Sequence, residues 1–212
     1  MIKKIIENNW VYMVLIFAII LIFNYVMNSE TYETIIKFDN NFFEAINDFR
    51  STTGTEVFKI FTYFGNIYIP LLILLCLMLF VKNKWIVILQ TASYGIAGVI
   101  TYIAKILIAR PRPGSALIAI PTSYSFPSGH TLTSIVFYVM LVYLLTFNSK
   151  KEVRNALIVL ATIFALLIAF SRPYLGVHYL SDILGGMILS IPLLFVLINT
   201  INYLFSKKLS GE

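Results

Sequence analysis

Six apolar runs, at roughly 10–27, 58–81, 85–109, 130–147, 156–170 and 181–205, take up most of this chain. Each approaches or exceeds the ~17 to 25 residues that cross a bilayer as a helix. Backbone amides in lipid must be satisfied within the segment itself, so runs of this length are economical only as helices. The predicted fold class is all-α: a polytopic membrane protein with six transmembrane helices, one domain over 1–212, and both termini on the same side. Composition agrees, since 59% of the 212 residues are hydrophobic and 12% charged, about half the charged share of an ordinary soluble domain. The first run follows Lys3 and Lys4. It exceeds the ~7 to 15 residues of a signal core, and Asn28-Ser29-Glu30 offers no small-residue cleavage pattern, so it is expected to be a spanning helix.

The formal net charge is +6, yet the basic residues sit between apolar runs and do not form the single solvated surface that nucleic acid requires. No nucleic-acid partner is expected. Lys3, Lys4, Lys82, Lys84, Lys150, Lys151, Arg154, Lys207 and Lys208 fall on one face, which the positive-inside rule makes cytoplasmic. The opposite face carries Glu30, Glu33, Asp39, Glu44, Asp48 and Glu56 against Lys37, Arg50 and Lys59. Lys105, Arg110, Arg112 and Arg172 break the sorting, because they lie at the outer membrane boundary.

Between the first two runs, Phe38, Phe42, Phe43, Ile46 and Phe49 recur at near-helical spacing with Asp39, Glu44 and Asp48 between them. This predicts an amphipathic helix in the outer interface, either a wall that guides a lipid or a loop helix packed on the bundle. Ser93, Gly95, Ala97 and Gly98, with Gly185 and Gly186, predict close helix contacts. The single Cys76 excludes an intrachain disulfide and is expected to be a buried small hydrophobe.

Cations beside a membrane helix are costly and need a partner or a task. Lys105 interrupts an apolar stretch; alone it would read as a side chain snorkelling to the headgroups. With Arg110, Arg112 and Arg172 on the same face, a shared anion is the better explanation. Pro111 and Pro113 end the helix and hold Arg110 and Arg112 at its mouth. Pro127-Ser128-Gly129-His130 opens the next run, where free amides form an anion site, although Ser128 would also serve as an ordinary cap. His130 and His178 are the only histidines. His178 and Asp182 are four residues apart and share a face of the last helix, so the carboxylate can hold one ring nitrogen and free the other to attack. Alternatively, Asp182 caps the helix or pairs with Arg172. A metal is not expected, because only Asp182 could join the two histidines and four cations would repel a divalent ion.

Lys105 with Arg112-Pro113 at 105–113, Pro127-Ser128-Gly129-His130 at 127–130, and Ser171-Arg172 with His178 and Asp182 at 171–182 together resemble the three-part signature of the type 2 phosphatidic acid phosphatases. The resemblance implies a helical core shared with vanadium haloperoxidases and a metal-independent lipid phosphate or diphosphate phosphatase without a cofactor. It implies that His178 attacks phosphorus, Asp182 orients it, and His130 protonates the leaving oxygen. Lys105, Arg112, Ser128, Gly129 and Arg172 would hold the phosphate. Expected substrates are phosphatidylglycerol phosphate, phosphatidic acid and undecaprenyl diphosphate, presented from the outer leaflet of a bacterial cytoplasmic membrane. The expected partners are therefore the lipid phosphate and the bilayer, with no obligate protein partner. A lipid-to-lipid phosphotransferase of the same fold and a non-catalytic transporter of anionic lipids are the alternatives.

Overall fold

The computed structural model describes residues 2–114 and 116–210, with the side chains of residues 2, 8 and 206–210, those of Lys207 and Lys208 among them, outside the described part. The described residues form eight helices and no strand: α1 (Ile2–Met27), α2 (Thr31–Phe49), α3 (Thr52–Phe64), α4 (Tyr68–Phe80), α5 (Lys84–Ile108), α6 (Gly129–Leu145), α7 (Lys151–Tyr174) and α8 (Leu180–Ser210). The all-α class is as expected. Four helices, α1, α5, α7 and α8, are each long and apolar enough to cross a membrane. The helices α3 and α4 qualify only as a pair, and α6 is a shorter apolar helix of 17 residues.

The second apolar run departs from the single helix expected over 58–81. It begins already at Thr52, where the Ser51 side chain caps α3 by accepting from the Gly54 N–H at 3.0 Å. It then breaks after Phe64, and the two halves are bent by 48°. The cause is local: Pro70 has no N–H to return to the Asn66 carbonyl, so a helix cannot run through, whereas proline is tolerated in the first turn of a new one. Tyr138 of α6 donates its hydroxyl to the Phe64 carbonyl at 2.8 Å, satisfying one acceptor that the break leaves free.

The centre of the bundle is α6, whose Leu132, Val136, Phe137 and Met140 are fully buried against α5, α7 and α8. A helix surrounded by others can be apolar on every side. The outer helices instead turn apolar side chains outward, such as Leu75 and Leu79 of α4, Tyr102 of α5 and Leu160 of α7, as a lipid-facing surface requires. Cys76 belongs to this surface: it is exposed on α4, not buried as expected. The terminal helices meet at one end, where Asn9 Nδ2 donates to Thr200 Oγ1 at 3.2 Å and Asn199 Nδ2 donates to Asn9 Oδ1 at 3.3 Å. The opposite end gathers the exits of α5 and α7, the starts of α3, α6 and α8, and α2.

The amphipathic α2 forms as predicted, with Ile46 buried beside Tyr174 and Leu175 and with Phe38 and Phe49 exposed. Asp39 departs from the expected polar face, because it is buried on the bundle side. The predicted small-residue contacts divide. A Cβ on Gly185 would lie 2.2 Å from the Phe126 ring, and one on Gly186 would lie 3.0 Å from Thr131. Gly95 and Gly98 have nothing within 4 Å and mediate no helix contact, although Ser93 and Ala97 beside them are buried. Gly185→Ala should therefore destabilise the protein by about 1–3 kcal/mol through overpacking, lowering the thermal unfolding midpoint in detergent. Gly95→Ala should leave that midpoint unchanged or slightly raised.

Candidate active site

The turn from α7 to α8 fixes the position of His178. Gly176 has φ 73°, a left-handed conformation that glycine adopts without a Cβ penalty. Its N–H donates to the Pro173 carbonyl at 3.0 Å, and the Val177 N–H donates to Arg172 at 3.1 Å, the paired bonds of a Schellman ending. The chain thus leaves α7 sharply and delivers His178 just before α8 begins at Leu180. His178 sits in this turn and not on the helix, but the predicted pairing forms: its Nδ1 is 3.2 Å from Asp182 Oδ2. The same oxygen accepts from the Tyr179 N–H at 2.9 Å and from the Ser125 hydroxyl.

On the other side of the ring, Arg112 Nη1 lies 3.1 Å from Nε2. A guanidinium can only donate, so Nε2 is the lone-pair nitrogen and Nδ1 carries the hydrogen. Burial, against the opposing hydrogen bond and charge of Asp182, pushes the pKa of His178 down to about 3. The ring is therefore neutral at physiological pH. A carboxylate partner alone would favour the protonated ring, and removal from water reverses that preference.

The helix α5 ends in Ala109, a non-glycine residue with φ 48°, which turns the backbone so that Arg110 points inward. Arg110 is almost fully buried between two carboxylates, donating at 2.6 Å to both Asp182 Oδ1 and Asp39 Oδ2. Its guanidinium also lies over the Tyr179 ring, 4.2 Å from the centroid. Burial opposes its charge, but Asp182 and Asp39 hold its pKa above the ordinary value. The predicted alternative of an Asp182–Arg172 pair does not form. Arg172 donates from Nη1 to the Thr62 hydroxyl of α3 and leaves its buried Nε without a partner. Lys105 donates to the carbonyls of Tyr124 and Ser125, and Arg112 donates to the carbonyls of Ser123 and Val177. Apart from the contact of Arg112 with His178, Lys105, Arg112 and Arg172 thus have carbonyls or hydroxyls as protein partners, while the carboxylates nearby are taken by Arg110 and His178.

Ser128 caps α6, its hydroxyl accepting from the Thr131 N–H at 3.4 Å, which is the ordinary capping role allowed for it. Its own N–H donates to the Asp182 carbonyl at 3.0 Å, tying the start of α6 to that of α8. A Cβ on Gly129 would meet only Thr101, at 3.4 Å, so packing within the chain does not demand the glycine. His130 follows, with Nε2 3.0 Å from Asn66 Oδ1 and its ring pressed against Gly65. The break between α3 and α4 therefore forms the seat of this imidazole. A cavity of about 550 Å³ opens here, lined by His130, Arg172, Asn66, Thr62 and Lys59 and by Leu117, Ile118, Ala119 and Pro121 of the loop between α5 and α6.

Residues 86–206 match the sequence profile of the PAP2 superfamily, more than half of the chain. The chain belongs to this superfamily. It is 32% identical over 148 residues to phosphatidylglycerophosphatase B of Bacillus subtilis, covering 66% of this chain and 72% of that protein. It is 31% identical over 163 residues to an undecaprenyl-diphosphatase of Sulfolobus acidocaldarius, covering 74% and 75% respectively. The crystal structure of a transmembrane PAP2-type phosphatidylglycerolphosphate phosphatase from Bacillus subtilis superposes with a TM-score of 0.79 at 26% identity, covering 90% of this chain and 96% of that one.

All eight residues marked in the sequence lie at this end of the PAP2 bundle: Lys105 on α5, Arg112 in the loop after it, Ser128 capping α6, Gly129 and His130 in its first turn, Arg172 in the last turn of α7, His178 in the α7–α8 turn and Asp182 on α8. Sequence reasoning overlooked Asp39, Ser125, Asn66 and Thr62, and it left Arg110 without a partner. Part of the signal for Asp39 is in the sequence, since a fourth cation at a membrane boundary needs an anion, but Asp39 is one of six acidic residues on that face and nothing in the sequence singles it out. The tautomer and protonation state of His178 give a direct test. Because its pKa lies below the ordinary value, the neutral form should persist as the pH falls toward that lower pKa. With two histidines in the chain, the ¹⁵N spectrum of histidine-labelled protein should show a neutral Nδ1–H ring for His178 at about pH 5; an imidazolium there would contradict the geometry.

Proposed function

We propose that this PAP2-superfamily member is an integral-membrane lipid phosphatase that hydrolyses phosphomonoester or diphosphate headgroups through a phosphohistidine on His178. One observation carries the reading. A buried neutral imidazole has Arg112 on its Nε2 and Asp182 on its Nδ1, with Arg172 in electrostatic reach, and Lys105, Arg112 and Arg172 have no carboxylate partner among the described residues. Such cations around a nucleophile suit a phosphoryl group, whose transfer depends on charge stabilisation and in-line placement.

An incoming phosphate takes over the donors of Arg112, Lys105 and Arg172, and Ser128 and Gly129 at the start of α6 complete its surroundings. Displacement of Arg112 frees Nε2, which forms the bond to phosphorus. The bond from phosphorus to the lipid oxygen breaks, and His130 supplies the proton that this oxygen needs. His130 then takes a proton from water, which attacks the phosphohistidine and releases phosphate and the free ring. Asp182 holds Nδ1–H throughout and stabilises the charge on the phosphorylated imidazole. No step calls for a metal or cofactor.

The lysines at 82, 84, 150 and 151 flank the end opposite the site, which supports an outward-facing active site and cytoplasmic termini by the positive-inside rule. Counting α3–α4 as one passage and α6 as another gives six spans. The substrates are lipids of the outer leaflet of a cytoplasmic membrane. The names of the relatives favour phosphatidylglycerol phosphate and undecaprenyl diphosphate, with phosphatidic acid as the third candidate.

The test is phosphate release by purified protein from these three lipids with chelator present. At least one lipid should turn over, and His178→Ala should lower kcat by more than about a thousandfold without changing the unfolding midpoint. Full activity of His178→Ala, or dependence on added metal, would overturn the mechanism. Transfer of phosphate to a second lipid in place of water would identify a phosphotransferase.

A further inference from the structure

Beyond Asp182, the polar chain behind His178 continues to a helix that contains none of the three signature pieces. Asp39 of α2 is 1% exposed and accepts three hydrogen bonds: from Arg110 Nη2 at 2.6 Å, from the Ser181 N–H at 2.9 Å and from the Ser181 hydroxyl at 2.6 Å. Arg110 Nη1 in turn donates to Ser181 Oγ at 2.7 Å and Asp182 Oδ1 at 2.6 Å. Residue 39 also lies outside the matched 86–206 segment.

We infer that Asp39 is a positioning residue for the reaction, fixing through Arg110 and Ser181 the charge and orientation that Asp182 presents to His178. The inference rests on the proposed role of His178.

One guanidinium is shared between two carboxylates where little water can screen them. While Asp39 holds one edge of Arg110, Asp182 keeps part of its negative charge for the Nδ1–H of His178. Removing the Asp39 charge leaves Arg110 to neutralise Asp182 alone. The imidazole then loses electron density before attack and loses its counter-charge after phosphorylation. Asp39 also acts as a cap supplied from another helix, because the Ser181 N–H lies in the first turn of α8 and has no intrahelical acceptor. That bond sets the turn on which the next residue, Asp182, stands. The bland alternative is a buried ion pair that only fastens α2 to the bundle. It predicts a loss of stability with no specific change at His178.

The experiment uses the full chain in lipid nanodiscs and the fastest of the three lipids named above. Asp39→Asn keeps the shape and an acceptor oxygen but removes the charge. It should lower kcat about tenfold or more, keep KM within about twofold, and shift the ¹⁵N resonances of His178 while leaving those of His130 in place. In an Arg110→Gln background the same change should add little, since the coupling runs through Arg110. Asp39→Glu, which restores the charge, should recover a large part of the lost kcat, and it carries the test should the Asn variant not fold. A kcat within twofold of the parent for Asp39→Asn overturns the inference. So does an undiminished loss in the Arg110→Gln background with the His178 resonances unmoved, or an Asp39→Glu variant as impaired as Asp39→Asn. If His178→Ala is inactive and Asp39→Asn is normal, only this inference fails; an active His178→Ala removes the functional reading itself.

Discussion

Charge buried at the end of an apolar bundle must be balanced within the protein, and the ion network around Arg110 does this for the carboxylates. Asp182 and Asp39 are both almost completely removed from solvent, and an unpaired buried charge costs several kcal/mol, about 3–5 when one partner of a pair is removed. Arg110 lies between them and accounts for one positive charge against two negative ones. The remaining negative charge is directed to His178, and among the described residues Lys105, Arg112 and Arg172 have no carboxylate partner. In the proposed reaction an anion from outside completes the balance. On the proposed function, stability and chemistry depend on the same arrangement, since Lys105, Arg112 and Arg172 are left without carboxylates that would make them inert.

The scaffold converts this requirement into position through helix ends. Three interruptions of regular backbone do most of the placing: the Schellman turn at Gly176, the left-handed exit at Ala109 and the break between Phe64 and Tyr68. Each has a cause in sequence, respectively a glycine, the prolines that follow, and Pro70. Each delivers one group, respectively His178, Arg110 and the Asn66 side chain that seats His130. The central helix α6 bonds across the last of these at two levels, through His130 and through Tyr138. His130 is therefore held by the most buried helix of the bundle.

Much of this was legible in the residues. Long apolar runs mark the helices because lipid admits few other solutions, and the spacing of His178 and Asp182 marks their contact, although His178 reaches the carboxylate from the turn before α8 and not from the helix itself. The break inside 58–81 was harder to see, since the run stays apolar through Gly65-Asn66 and Pro70 alone marks the boundary. Asp39 was misread for a different reason. A carboxylate among aromatic residues on an amphipathic helix looks solvated, and only the tertiary fold shows that it faces Arg110. The size of Gly95 and Gly98 suggests helix contact, but a small residue can also face lipid. Cys76 was misjudged in the same way, because hydrophobic surroundings in sequence do not distinguish a protein core from a bilayer.

The most direct test of the account is a structure of the protein with vanadate, an oxyanion that takes the place of the phosphoryl group. Vanadium should be bonded to His178 Nε2, with Arg112 moved from the ring onto a vanadate oxygen, Lys105 and Arg172 contacting the others, and His130 facing the anion from the cavity side. Vanadate bound elsewhere, with Arg112 still on Nε2, would contradict it.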